Sequence, residues 1–405
     1  MLTALEQGVR GGRWYTLMDK VSALPTLRAA FARVKANRGA AGVDHVTVAM
    51  FEARLDAHLT TLATSLQDGT YRPQAIRRHW IPKGPRERRP LGIPTVRDRV
   101  VQTALRLVLE PIFDVTFADH SYGFRPRRGA KDALRRVDAL LRAGYRFVVD
   151  ADFQAYFDTI PHAPLRAQVA AKVSDGRVLA LVDAFLQQPI FEGLAQWTVD
   201  EGTPQGAVIS PLLANLYLDP LDHLMAESGF EMVRYADDFV VLCRTAEEAE
   251  QGLTIVRRWT ATAGLRLHPE KTHLVDMQQP GGFDFLGYHF EHRHRWPRKK
   301  SLTKLKDAVR QKTRRTNGHS LAVIIADVNR TVVGWFGYFK HSHGSFEGLD
   351  AWIRTRLRSI LRARAGYQRR RRTADHRRWP VRFFHDAGLF SLAQAHAVLR
   401  QSHAG

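Results

Sequence analysis

Apolar residues recur at helical spacing early in the chain, at Leu27, Phe31 and Val34 and again at Phe51, Leu55 and Leu59. Over Pro25 to about Leu66 this spacing predicts two helices, flanking the glycine-rich turn Arg38-Gly39-Ala40-Ala41-Gly42. From Trp80 the pattern breaks into short extended pieces punctuated by proline and glycine, Ile81-Pro82-Lys83-Gly84-Pro85 and Arg89-Pro90-Leu91-Gly92-Ile93-Pro94, which predict a basic hairpin. Val96 to Phe113 returns to helical period, with Val100, Ala104, Leu107 and Leu109 forming an apolar face. Phe147 to Asp152 reads as a mostly buried strand, followed by a helix from about Ala163 to Gln187. Met232 to Tyr235 and Phe239 to Cys243 are β-rich runs on either side of Ala236-Asp237-Asp238, a hairpin with an acidic connection. After Gly287 the helices become amphipathic and basic: Leu302, Leu305, Ala308 and Val309 share one face, with Lys304, Lys306, Arg310 and Lys312 around the rest.

Composition places these elements in a globular chain of 405 residues, 44% hydrophobic and 25% charged. A length of this order predicts two or three domains. Lys+Arg 61 against Asp+Glu 40 gives a net charge of +21, the footprint of a protein that neutralises a polyanion such as nucleic acid. The charge is concentrated. One run holds Arg293, Arg295, Arg298, Lys299, Lys300, Lys304, Lys306, Arg310, Lys312, Arg314 and Arg315 against Asp307 alone, and a second holds Arg369 to Arg372 with Arg377 and Arg378. A single cysteine, Cys243, excludes an intrachain disulfide and a thiolate zinc site. No stretch approaches the roughly 18 apolar residues of a membrane span, and Met1 to Arg13 lacks a signal-peptide core, so the chain reads as cytoplasmic.

Two acidic sites carry the candidate chemistry: Asp152 at the end of one strand and Asp237-Asp238 in the hairpin turn. An Asp-Asp turn by itself is more often structural than catalytic, because Asp satisfies local turn hydrogen bonds. Nucleotidyl transfer, however, uses two divalent ions about 3.5–4 Å apart to stabilise the entering and leaving oxygens. Mg²⁺ takes hard oxygen ligands and keeps water and substrate phosphate in its octahedron, so two or three carboxylates on adjacent strand ends suffice. Lys83 and Arg89 in the basic hairpin are candidates to hold a triphosphate, with solvated loop charges as the alternative.

Tyr235-Ala236-Asp237-Asp238 resembles the Tyr-x-Asp-Asp box of reverse transcriptases, and companion motifs stand in that family's order. Upstream are Ile81-Pro82-Lys83 with Arg89 to Thr95, then Tyr122-Gly123-Phe124-Arg125-Pro126 and Asp152-Phe153-Gln154-Ala155-Tyr156-Phe157-Asp158. Gly202-Thr203-Pro204-Gln205-Gly206 lies between the acidic sites, and Pro269-Glu270-Lys271-Thr272 and Phe283-Asp284-Phe285-Leu286-Gly287 follow. The chain is most similar to bacterial group II intron reverse transcriptase/maturases. Arg33 to Gly39 resembles their amino-terminal extension, and Asn329 to Phe339 with Gly334-Trp335-Phe336 resembles their maturase-specific thumb.

The resemblance implies an α+β right-hand polymerase with fingers, palm and thumb, an antiparallel palm sheet and a helical, basic carboxyl-terminal region. It implies an amino-terminal extension and fingers over 1–145, a palm over 146–290, a thumb/maturase domain over 291–365 and a basic extension over 366–405. Asp152, Asp237 and Asp238, with Phe153, would bind two Mg²⁺, for which Mn²⁺ substitutes, and Lys271 would protonate the departing pyrophosphate. Lys83, Arg89, Phe157 and Gln205 would contact the dNTP, the Phe157 ring excluding a 2′-hydroxyl. Phe285, Leu286 and Gly287 would form a primer grip. Arg125, Lys299, Lys300, Lys304 and Arg310 would bind nucleic acid. The implied partners are an RNA template, a DNA or RNA primer, dNTPs and group II intron RNA. One cysteine implies no endonuclease domain of the family's cysteine-paired kind, and the His292/His294 and His341/His343 pairs read as phosphate-facing or solvated. Two other functions stay open: a splicing-only RNA-binding protein on a polymerase scaffold, and a free-standing, repair- or defence-associated polymerase.

Overall fold

The computed structural model describes residues 12–82, 88–193, 195–198, 200–367 and 372–402. The chain forms two compact units, one ending at Leu274 and the other beginning at Val275. Its strands are β1 (Ile76–Pro82), β2 (Arg88–Ile93), β3 (Phe147–Asp152), β4 (Ile190–Glu192), β5 (Ala195–Trp197), β6 (Glu231–Tyr235), β7 (Asp238–Cys243), β8 (His273–Asp276), β9 (Phe283–Phe285), β10 (Tyr288–Glu291) and β11 (His294–Pro297).

In the first unit, β7 lies between β6 and β3, antiparallel to both. Alternate residues point to opposite faces of a strand. Val149, Ala151, Met232, Phe239, Val241 and Cys243 enter the main core on one face, yet Val148, Val233, Val240 and Leu242 on the other are equally buried. Helices Ala130–Arg142 and Ala246–Thr262 pack on this sheet, which is why its strands read as nearly continuous apolar runs. A second sheet, ordered β2-β1-β4-β5, contains the basic hairpin; β1 pairs parallel with β4 and the other pairs are antiparallel. The hairpin connection, including Lys83, lies outside the described residues.

Helix Val96–Asp114 forms where expected, capped by Thr95, whose hydroxyl accepts from the Asp98 N–H. Two expectations need correction. The amino-terminal pair is three helices, Leu24–Ala36, Val48–Glu52 and Leu55–Gln67, because Thr47 caps a separate short turn. The single helix over 163–187 is two, His162–Ala170 and Gly176–Leu186. Between them Ser174 N–H donates to Trp14 O and Trp14 N–H to Lys172 O, so the chain is extended there. Asp175 then restarts the helix. Its carboxylate accepts from Arg177 and Val178 N–H with one oxygen and from Leu17 and Met18 N–H with the other.

The second unit combines the antiparallel sheet β11-β10-β9 with helices Lys299–Lys312, Leu321–Phe339 and Glu347–Arg364. Leu305 and Val309 of the basic helix join Val328, Leu357, Phe384 and Leu392 in one core, so the described part of the carboxyl-terminal stretch packs with the helices before it. Arg295, a member of the basic run in the sequence, is buried over the Tyr288 ring. His343 Nδ1 accepts from the Arg295 N–H, and the His294 and His343 rings meet edge to face. Arg369 to Arg371 lie outside the described residues. Among those described, no helix is long and apolar enough to cross a membrane.

Candidate active site

Tyr235 pairs with Asp238, leaving Ala236 and Asp237 as a two-residue hairpin loop. Ala236 has φ +60°, a left-handed conformation that costs a non-glycine residue on the order of 1–2 kcal/mol. The surroundings hold it there. Arg234 Nη1 donates to Ala236 O at 2.9 Å. The segment His120 to Tyr122 runs alongside, Arg234 N–H donating to His120 O and Tyr122 N–H to Arg234 O, each at 2.9 Å. Gly123 then passes so close to the loop that a Cβ would collide with the main-chain nitrogen of Ala236. The Tyr-Gly-Phe-Arg-Pro motif thus buttresses the acidic turn.

Its Arg125 is not a nucleic-acid contact, contrary to the expectation from sequence. The side chain is buried and engaged by Asp114 at 2.6 Å and by the carbonyls of Asp114, Ala118 and Ser121.

The register of β3 on β7 sets Asp152 opposite Asp238, beside the loop that carries Asp237. Burial raises the Asp237 carboxyl above the usual range; the nearby Asp152 charge raises it further, against Arg89 and Arg234. Lys271, from the single turn Pro269–Lys271, puts its ammonium 2.6 Å from Asp152 Oδ2. Phe153 is buried, its ring packed on Tyr156 and Phe239, so its side chain serves the core and any metal contact would have to come from its main chain. Among the described residues no three His, Cys, Asp or Glu side chains converge as a ready-made metal cage. Two crowded carboxylates with an ammonium against one of them fit an open site, in which water and substrate phosphate complete the shell of a hard cation.

Next to this site is a recess of about 150 Å³ lined by Ile76, Arg78, Phe157, Asp158, Thr203 and Gln205, among others. Phe157 is half-buried, makes a T-shaped ring contact with Tyr156, and is one of the residues that line the recess. Thr203 N–H donates to Phe157 O at 2.6 Å and Gly92 N–H to Gln205 O at 2.6 Å, fastening the Gly-Thr-Pro-Gln-Gly loop to both walls. Gly206, at φ +105°, abuts the Gly92 carbonyl where a side chain would not fit. Gln205 accepts from Arg89 Nε and donates to Asp158 Oδ2, each at 3.0 Å.

Sequence reasoning missed Arg78, whose guanidinium lies over both Trp80 and Trp197, 5.4 and 5.0 Å from the ring centroids, with Glu192 at 3.6 Å. It also missed the fully buried pair Arg234–Asp222. An arginine inside the apolar run Met232-Val233-Arg234 was the available signal, because a buried cation requires a partner.

In the second unit, Leu286 and Gly287 form the two-residue turn between β9 and β10. Leu286 O accepts from the Tyr338 hydroxyl at 2.8 Å, and Gly287 O from Arg298 N–H and the Ser301 hydroxyl. Phe285 is fully buried, so its side chain serves the core rather than a primer. Lys299, Lys300, Lys304 and Arg310 are exposed on helix Lys299–Lys312; Arg310 pairs with Asp307 at 2.6 Å and lies over Trp352.

The reverse transcriptase (RNA-dependent DNA polymerase) family matches residues 81–290, and the chain belongs to it. Residues 302–379 match the group II intron maturase-specific domain. Among curated relatives, protein YkfC of Escherichia coli is 33% identical, over 64% of this chain and 76% of that one. The group II intron-encoded protein LtrA of Lactococcus lactis is 40% identical over 40% of this chain, but this covers only 27% of LtrA's length. Among solved structures, a partial Cas6-RT-Cas1–Cas2 complex aligns with TM-score 0.40 and 24% identity, over 64% of this chain and 43% of that one.

Proposed function

We propose that the protein extends a DNA or RNA primer with dNTPs on an RNA template in the bacterial cytoplasm, and that its second unit also binds group II intron RNA to promote splicing. The observation that carries the polymerase reading is the convergence of Asp152, Asp237 and Lys271 beside the recess lined by Phe157 and Gln205, with Arg89 hydrogen-bonded to Gln205. Asp152, Asp237 and the Phe153 carbonyl would hold two Mg²⁺, or Mn²⁺ in its place, with Asp238 completing the acidic set. When bound, the ions neutralise charge on the attacking and departing oxygens of the in-line displacement.

The chain's own residues supply the rest. Arg89 would hold the triphosphate, Arg adding forked hydrogen bonds to phosphate oxygens, and Lys83, outside the described residues, is the second cation the sequence offers for that contact. Gln205 orients Arg89 from the opposite wall. The Phe157 ring occupies the volume a 2′-hydroxyl would need. Lys271 leaves Asp152 when the site loads and gives its proton to the pyrophosphate. The turn at Leu286 and Gly287 contacts the primer, and Lys299, Lys300, Lys304 and Arg310 contact RNA phosphates.

Primer extension on an RNA template by the purified protein and by Asp237→Asn tests the reading, beside splicing of a group II intron transcript. Asn keeps the shape of Asp and loses its charge, so extension should vanish while folding and RNA binding persist. Extension by the variant at the wild-type rate would refute the site.

A further inference from the structure

We infer that Arg234 and Asp222 are positioning residues that preset the metal-binding turn, and that Arg234 sets the divalent-cation affinity of Asp237 without touching the cation. The inference rests on the reading of Asp237 as a metal ligand.

The geometry is unusually complete for one side chain. Arg234 and Asp222 are both fully buried, 0% exposed, and paired through two hydrogen bonds, Nε to Oδ1 at 2.7 Å and Nη2 to Oδ2. A planar guanidinium fixed at two points has no rotational freedom left, so the direction of its third nitrogen is set by Asp222. That nitrogen, Nη1, donates to Ala236 O at 2.9 Å and to Asn215 Oδ1 at 3.0 Å. Asn215 in turn donates from Nδ2 to Gly123 O at 2.7 Å, and Gly123 is the residue pressed against Ala236. Two routes from one ion pair therefore end on the same left-handed residue, one through its carbonyl and one through the chain packed on its nitrogen.

A buried ion pair is weak evidence of stabilisation, since apolar residues of similar volume often do as well. Its use here is directional. Ala236 is the residue immediately before Asp237, and its φ of +60° is a conformation an L-residue rarely adopts unaided. If the loop relaxed, the Asp237 carboxylate would be one of several conformers, and cation affinity would fall by the fraction of chains holding the competent one.

The test uses the full chain with Mn²⁺ as probe, its binding followed by electron paramagnetic resonance without nucleic acid or nucleotide, beside thermal unfolding. Arg234→Lys keeps the charge opposite Asp222 but cannot fork to three acceptors at once. It should weaken Mn²⁺ binding by about tenfold or more, a loss typical of disturbed outer-shell support. Should that variant fail to fold, Arg234→Met combined with Asp222→Leu removes both charges, leaving no orphaned ion. The double variant should recover most of the unfolding temperature and still show weak Mn²⁺ binding. Folded variants with wild-type Mn²⁺ affinity would overturn the inference. Asp237→Asn is the control that separates the two readings. If it loses Mn²⁺ while the Arg234 variants keep it, only the positioning role falls. If it keeps Mn²⁺, Asp237 is not a ligand and both fall.

Discussion

Arg89 and Gln205 are 116 positions apart in sequence, and the Arg89 Nε–H donates to Gln205 Oε1 at 3.0 Å. The amide in turn donates to Asp158 Oδ2, so its orientation is fixed from the far side. A basic strand residue is thereby aimed by a loop that arrives from a different part of the chain.

Removing that amide should loosen the triphosphate contact more than the chemistry. Gln205→Ala is expected to raise KM for dNTPs by about tenfold, the equivalent of one charge-assisted hydrogen bond, with a smaller change in kcat. Steady-state single-nucleotide extension measures both. An unchanged KM would mean that Arg89 is held adequately without Gln205.

Sugar selection offers an independent check on the other side of the recess. Phe157→Ala should increase ribonucleotide incorporation relative to deoxynucleotide, because the ring borders the recess and its removal opens space there. Competitive single-nucleotide extension reads the ratio directly, and a constant ratio would reduce Phe157 to a packing residue against Tyr156.

Asp175 predicts a pH-dependent stability. Burial pushes its carboxyl up, but the N–H groups of Leu17, Met18, Val178 and Arg177 outweigh burial and hold it below the usual range. A depressed folded value means that the stabilisation is complete above the ordinary Asp range, near 4, and is lost as pH falls through the folded value. Asp175→Ala should therefore cost about 1–3 kcal/mol at pH 7, for a helix cap and two further buried bonds. Denaturant titrations across pH should show the gap to wild type closing below about pH 4.

The exposed cations of helix Lys299–Lys312 predict a salt effect. Neutralising Lys299, Lys300, Lys304 and Arg310 together should weaken RNA binding and flatten its log–log salt dependence by roughly 2–3, at about 0.7–0.9 per phosphate contact. The full four contacts are not expected, because Arg310 is already engaged by Asp307 and Trp352. Filter binding across salt, paired with extension at saturating template, separates RNA capture from catalysis. Equal loss in both would give this helix one role in gripping primer and template.

What the sequence displayed and what it concealed divide along a physical line. β3, the β6–β7 hairpin and helix Val96–Asp114 were legible because apolar period and turn residues are local signals. Asp152, Asp237 and Asp238 were legible as candidates because a strand end and a hairpin turn, both local signals, mark their places. The helix break at Asp175 was not, since it depends on main-chain donors at Leu17 and Met18, more than 150 positions away. Arg125 shows a further limit: its motif was recognised, yet only the fold reveals that the guanidinium turns inward to Asp114. Arg78 and the Arg234–Asp222 pair were hidden for the same reason, as each takes its meaning from partners on other elements.

Cys243, at the end of the central strand β7, is 1% exposed, and burial pushes its thiol up to about 12. At neutral pH such a sulfur presents almost no thiolate to an electrophile. The natural chain is therefore close to a cysteine-free background for maleimide chemistry. A reporter cysteine placed on the exposed face of helix Lys299–Lys312, and another beside the β1–β2 hairpin, would take up fluorophores selectively, making distance changes on RNA capture measurable without first engineering the native thiol away.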